Sequence, residues 1–157
     1  MSGVRVRRAG GADLRDLVRL WIALTEYHAE FEPLYALRPG AEPEVRRLLE
    51  AQLAEPDTAL FLGESADRAA GFAAVQIAHA PPIHPERMRA EISDLYVAPS
   101  HRRSGLGRAL VGSAIAWLRE RDVPRLEVRV VAGNRGGQAF WRALGYSAFV
   151  DVLHRRL

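Results

Sequence analysis

Apolar and polar positions follow two different periods along the chain, and the switches between them mark out its elements. Val4 to Arg8 alternates apolar and basic residues, the signature of a short strand. Gly10 and Gly11 break it. From Asp13, which suits a helix start, Leu14, Leu17, Val18, Trp21, Ile22 and Leu24 recur at helical spacing to about Glu30. Pro33, Pro39, Gly40 and Pro43 interrupt the chain before a second helix over about 44–53, which Glu55-Pro56-Asp57 ends. Three apolar runs follow at 58–63, 69–80 and 87–97, joined by the turn Ser65-Ala66-Asp67-Arg68 and by Pro81 to Pro85. Connections this short predict antiparallel strands. Leu106, Leu110, Val111, Ala114, Ile115 and Leu118 stripe a third helix to about Arg121. Pro124 precedes a strand over 126–131, which the crossover places parallel to the strand ending at Val97. A last helix over 134–144 stops at Gly145, and 146–153 reads as a final strand.

The connection between Val97 and the third helix carries the strongest chemical signal. Pro99 ends the strand, an arginine-bearing turn follows, and Gly105 and Gly107 open the helix. First-turn amides of a helix lack intrahelical partners and carry partial positive charge, so glycines that let a ligand reach the backbone make an anion site. Arg102, Arg103 and Arg108 add charge that phosphate oxygens can use. A P-loop is excluded, because it needs a lysine and this chain contains none. A dinucleotide fingerprint is excluded as well: the third glycine position is Leu110, and seven loop residues separate Val97 from Gly105.

Spacing then narrows the reading. Arg102-x-x-Gly105-x-Gly107, preceded by Asp94-Leu95-Tyr96-Val97-Ala98-Pro99 and followed by Asn134 and by Phe140-Trp141-x-x-x-Gly145-Tyr146, resembles the GCN5-related N-acetyltransferase (GNAT) superfamily. The resemblance runs over roughly residues 58–150; the first 57 residues match only in their helix pattern. It implies an α/β fold in one domain over 1–157, with a central mixed, mostly antiparallel sheet of six to seven strands and about four helices. It implies acetyl-CoA as co-substrate, with its pyrophosphate on Arg102, Arg103, Ser104, Gly105, Leu106, Gly107 and Arg108. Its pantetheine arm would lie between two parting strands, using the Leu95 and Val97 backbones and Asn134. The activity implied is direct transfer of acetyl to a primary amine in a ternary complex, without a metal.

Composition limits the alternatives. A length of 157 residues, 48% hydrophobic and 26% charged, fits one soluble domain. No apolar run is long enough for a membrane span, and the start, from Met1 to Val6, alternates like a strand rather than a secretion signal, so a cytoplasmic location is expected. With no cysteine, thiolate zinc sites, disulfides and an acetyl-cysteine relay are excluded. The net charge of +3 hides an asymmetry: residues 1–86 carry nine arginines and thirteen acids (−4), residues 87–157 thirteen arginines and six acids (+7). The positive half holds the glycine loop, and the acidic half suits a cationic acceptor. No DNA-reading motif accompanies the arginines, so nucleic acid is not expected as a partner.

Attack by an amine requires that its proton be taken, since a lysine-like amine is protonated near neutral pH. Glu91 and Asp94 are the candidate bases, Glu91 leading because some family members place a catalytic glutamate there. In a regular strand the two would face opposite ways, unless a bulge intervenes. Many family members carry a tyrosine after the phenylalanine of the last helix, to protonate the departing thiolate; here the residue is Trp141, which cannot act as an acid near neutral pH. Tyr96 is the substitute candidate, or the thiol leaves unaided. Tyr27, His28, Glu30, Glu32 and Tyr35 cluster where the first helix ends, the region that forms the acceptor wall in the family. The departure at Trp141 leaves a second reading, a coenzyme-binding regulatory module without turnover. A homodimer is common in the family.

Overall fold

Alternation along the long apolar runs decides the layering. In the computed structural model, which describes residues 3–157, β1 (Val4–Arg8), β2 (Thr58–Ser65), β3 (Arg68–His79), β4 (Met88–Val97) and β5 (Leu126–Val128) form one sheet in that spatial order. The strand-like reading of the start begins at Met1, and Met1 and Ser2 lie outside the described residues. The first four strands pair antiparallel, and β5 pairs parallel to β4, as its crossover requires. On β2, Ala59 and Phe61 face one side and Leu60 and Leu62 the other; on β3, Ala73 and Val75 oppose Phe72 and Ala74. A sheet apolar on both faces must be covered on both.

Helices α1 (Leu14–Ala29) and α2 (Glu42–Ala54) cover one face, with Leu17, Leu20, Leu24, Val45 and Leu49 against Leu60, Leu62 and Phe72. On the other face, α3 (Leu106–Arg119) packs Leu106, Leu110, Val111 and Trp117 over Phe61, Val75 and Ile92, and α4 (Arg135–Ala143) adds Trp141. Phe72 is fully enclosed, and truncating such a residue to alanine costs about 3–5 kcal/mol. Asp13 does not cap α1. Its carboxylate instead accepts from the Gly10 N–H (2.9 Å) and from Arg7 (2.7 and 2.9 Å), tying the helix start to β1.

Two expectations about the sheet are corrected. Among the described residues it has five strands rather than six to seven, because 146–153 keeps a strand-like sequence but joins no ladder. The strand expected over 126–131 pairs only over Leu126–Val128. Its partner explains this. The β3–β4 register shifts between Ala74 and Val75, which leaves Ser93 as an extra residue on β4. The β4–β5 ladder ends at Ile92 and Val128, directly before that bulge, which bends the strand and interrupts its pairing.

Candidate active site

The bulge also reverses which face each β4 side chain meets. Ala90 and Ile92 belong to the α3 core, whereas beyond Ser93 it is Leu95 and Val97 that pack there and Tyr96 that joins the α1 core. Glu91 and Asp94 therefore share the α1 side. This is the exception that regular alternation excluded, and the two carboxylates sense one another: the Asp94 carboxyl is pushed above its ordinary range by burial first and by the Glu91 charge last, against hydrogen bonds from Ser93 and Trp21. Glu91 is mostly buried and its Oε1 lies 3.6 Å from Arg129 Nε.

Where β4 and β5 part, a cleft of about 890 Å3 opens, within the range of small-molecule sites. Leu95 and Val97 line it from β4, and Val128, Val130 and Val131 line the opposite wall. The Ala98 N–H donates to Ala70 O at 2.8 Å, so the main-chain groups of Leu95 and Val97, three residues and one residue earlier, fall on the edge that turns away from β3 and toward the cleft. Val97 O accepts from Arg102 Nε (3.1 Å) rather than from a strand.

At one end of the cleft stands the N-terminus of α3. Arg103 and Gly105 both take left-handed backbone, φ +62° and +87°, and the turn is braced by Ser104 Oγ, which donates to His101 O (2.7 Å). Such a turn directs successive N–H groups toward one point. A Cβ on Gly105 would meet nothing within 4 Å, so this edge is open to a ligand. Gly107 differs: a Cβ there would lie 3.3 Å from two Phe140 ring atoms and 3.7 Å from Val97 Cγ2, so its bareness makes room for the cleft wall itself. Arg103 and Arg108 line the cleft with the two glycines, while Ser104 and Leu106 support the turn from behind, Leu106 fully buried. Arg102 is doubly occupied, with its guanidinium 4.5 Å from the Tyr27 ring centroid while Nε holds Val97 O.

Asn134 caps α4, its Oδ1 accepting from the Gly137 N–H at 2.9 Å, and it is 7% exposed at the cleft wall. Among the described residues its amide nitrogen makes no hydrogen bond, which leaves it free for a carbonyl in the cleft. Gly136 and Gly137 line the cleft beside it, together with Phe140. The sequence reading passed over this second glycine-bearing helix start, whose signal was two consecutive glycines in the first turn after an asparagine cap.

The opposite rim is aromatic. Tyr27 and His28 line the cleft, Tyr27 meets Phe31 edge-on at 5.0 Å, and His28 lies 5.5 Å from Tyr35. Burial holds the His28 imidazole below its ordinary pKa, so it is neutral at pH 7. Tyr35 and Glu32 stand outside the cleft proper; Glu32 caps the short turn at Pro33–Tyr35 by accepting from the Leu34 N–H. Tyr96 reaches the cleft and is 8% exposed. Glu91 and Asp94 are not among its walls; Ser93, whose Oγ donates to Asp94 Oδ2 at 2.7 Å, is. Trp141 packs edge-on between Phe140 and Tyr146, as a wall residue. Among the described residues no cluster could hold a metal ion, and no helix is long and apolar enough to cross a membrane.

A sequence model of the acetyltransferase (GNAT) family matches residues 21–146. The mycothiol acetyltransferase of Thermomonospora curvata is 32% identical over 111 residues, covering 68% of this chain and 35% of that protein. The chain thus spans about a third of the length of such curated relatives. In fold, it is similar to a mutant of the BH1408 protein of Bacillus halodurans (TM-score 0.86, 20% identity, 98% of this chain and 99% of that one). It is likewise similar to the aminoglycoside N-acetyltransferase AAC(6')-Iy in complex with CoA (TM-score 0.78, 19% identity, 100% and 96%).

Proposed function

The chain belongs to the acetyltransferase (GNAT) family, and from that premise we propose that it transfers the acetyl group of acetyl-CoA directly to the primary amine of a small cationic acceptor. The observation that carries this reading is the cleft that begins where β4 and β5 stop pairing, with open main-chain edges on one strand and a left-handed glycine turn at its end. An extended arm bearing amides can bond to the Leu95 and Val97 backbones as an added strand would. Its diphosphate then lies against the amides of Gly105, Gly107 and Arg108, with the Arg103 and Arg108 side chains beside them. Asn134 Nδ2 offers a further donor to the same arm.

The acceptor enters past Tyr27 and His28, whose rings suit a cation, with Glu30, Glu32 and Tyr35 near the entrance. Names of similar proteins, mycothiol and aminoglycoside acetyltransferases, favour a small-molecule acceptor over a protein terminus. Its amine nitrogen attacks the thioester carbonyl carbon, the C–S bond breaks, and coenzyme A departs as thiolate or, with a proton from Tyr96, as thiol. The amine proton goes to the Glu91–Asp94 pair through water at Ser93; the raised Asp94 pKa brings that pair closer to the working pH than an ordinary carboxylate. His28 is the second reading for the base, favoured by its place in the cleft and its neutral state.

Thiol release from acetyl-CoA over a panel of small amines, with wild type, Glu91→Gln, Asp94→Asn and His28→Gln, tests this. The reading expects acceptor-dependent release, with kcat lowered at least tenfold by a carboxylate variant and the acid limb of its pH profile displaced. A loss confined to His28→Gln moves the base to the imidazole. Tight acetyl-CoA binding without release for any amine would make the chain a coenzyme sensor and end the transferase reading.

A further inference from the structure

The arginines of the cleft do not share one task. Arg102, Arg103 and Arg108 stand at the glycine turn, and among the described residues no carboxylate lines the cleft with them. Arg129 is apart. It follows β5, and because Ile92 pairs with Val128, it is the residue level with Ser93, where the two strands begin to part. Ser93 lies four residues before Val97, a rise of roughly 13 Å, so Arg129 stands at the other end of the cleft from the turn that faces the diphosphate. Val128 and Val130 pack toward α3, whereas the Arg129 guanidinium reaches Glu91, on the α1 side. Tyr27 and His28, at the end of α1, border the cleft on that same side.

Neighbouring arginines at this edge of the sheet are already taken. Arg89 donates to Glu127 at 2.8 Å, and Arg125 to Glu86 at 2.6 Å. Arg129 has only the 3.6 Å approach of its Nε to Glu91 Oε1, too long for a hydrogen bond, and its side chain is 75% exposed. An ion pair of that kind contributes little. The two terminal nitrogens, which with Nε form the planar fork that grips a carboxylate through parallel bonds, are left unused beside the cleft.

Resting on the acetyl-transfer reading above, we infer that the acceptor is a basic α-amino acid, whose carboxylate Arg129 binds and whose α-amine attacks the thioester. A carboxylate complements an unpaired guanidinium at this point, whereas a purely polycationic acceptor would set an ammonium against it. Reaction at the α-amine follows from the same placement. The arm that bonds to Leu95 and Val97 carries its thioester toward Ser93, level with Arg129, and the α-nitrogen is one carbon from the bound carboxylate. The bond formed joins that nitrogen to the acetyl carbon, the C–S bond breaks, and the amine proton goes to the base described above. The second nitrogen then extends toward the rings of Tyr27 and His28, which suit a cation. Arg129 is in this arrangement a specificity-determining residue.

Thiol release with lysine, lysinamide and cadaverine as acceptors tests this, since the amide removes the carboxylate's charge and the diamine removes the group. Wild type should show a kcat/KM for lysine at least tenfold above either analogue, because a site built for a polar group rejects the analogue lacking it. That preference would run against intrinsic reactivity, as the α-amine of the amide is the less basic and more often unprotonated. The product, by nuclear magnetic resonance, should carry acetyl on the α-nitrogen. Arg129→Gln should bring the ratio of lysine to lysinamide to one or below, through a raised KM for lysine, with acetyl-CoA binding by calorimetry as the check on folding. A residue that only held Glu91 in place would lower kcat for all three acceptors and leave the ratio alone. Equal kcat/KM for lysine and lysinamide, a preference that survives Arg129→Gln, acetyl on the side-chain nitrogen, or release only with other amines overturns the inference and leaves the transferase reading standing. Release with no amine at all ends both.

Discussion

Gly105 and Gly107 sit two residues apart at the same helix start, and the structure requires them to fail differently when a side chain is added. At Gly105 a Cβ has open space, but the backbone is left-handed, which costs a non-glycine residue about 1–2 kcal/mol. Gly105→Ala should therefore lower the melting temperature by roughly 3–6 °C for a domain of this size. Gly105→Asn should recover part of that loss, since asparagine tolerates this conformation. At Gly107 the backbone is helical and the obstacle is the Phe140 ring at 3.3 Å. Gly107→Ala gains about 0.5–1 kcal/mol from reduced chain freedom and loses a comparable amount to crowding, so its stability should stay within about 1 kcal/mol of wild type. Gly107→Val has no such balance. Its two methyl groups push Phe140 from the wall and stand where the diphosphate must approach, and acetyl-CoA affinity by calorimetry should fall at least tenfold, about 1.4 kcal/mol. Wild-type affinity in Gly107→Val, or wild-type stability in Gly105→Ala, would refute the account of the turn.

Three further outcomes follow from the geometry. Asn134→Ala removes the α4 cap and should cost about 1 kcal/mol, with Asn134→Asp recovering most of it, by denaturant unfolding. Between the ordinary carboxylate pKa and its raised folded value, Asp94 holds a proton in the folded state that the unfolded chain releases, so its contribution to stability falls as pH rises through that window. Asp94→Asn should accordingly raise the melting temperature at pH 7.5 and give no gain at pH 3; equal gains at both would refute the burial argument. Arg102→Ala loses the stack on Tyr27, worth about 0.5–1 kcal/mol at an exposed site, and the bond to Val97 O. Steady-state kinetics should then show the KM values for coenzyme and acceptor rising together, and Arg102→Lys should not bring them back, because an ammonium cannot reproduce the planar stack.

How much of this was legible depends on whether a feature is local. The stripes of α1 and α3 placed both helices within a few residues, because each buries one face over three turns or more. Asn134 announced a cap by type and position, and the glycine loop announced itself by spacing. The edge of the sheet did not, since 146–153 has the alternation of a strand while pairing is settled by what lies beside it. The shared face of Glu91 and Asp94 was partly written in the sequence: apolar residues stand at 90 and 92, then at 95 and 97, and that change of parity across Ser93-Asp94 is a bulge signal.

Because side chains on a strand come in whole steps, the extra residue in β4 works like a switch with two settings and nothing in between. Excising Ser93 would restore regular alternation, leave Asp94 opposite Ala74, and let the neighbouring strand close along its full length, so the space for an acyl donor would vanish in one stroke. Substitution can tune the groove by degrees, but its existence rests on a count, and single-residue insertions or deletions between 90 and 95 should be tolerated far less well than replacements there.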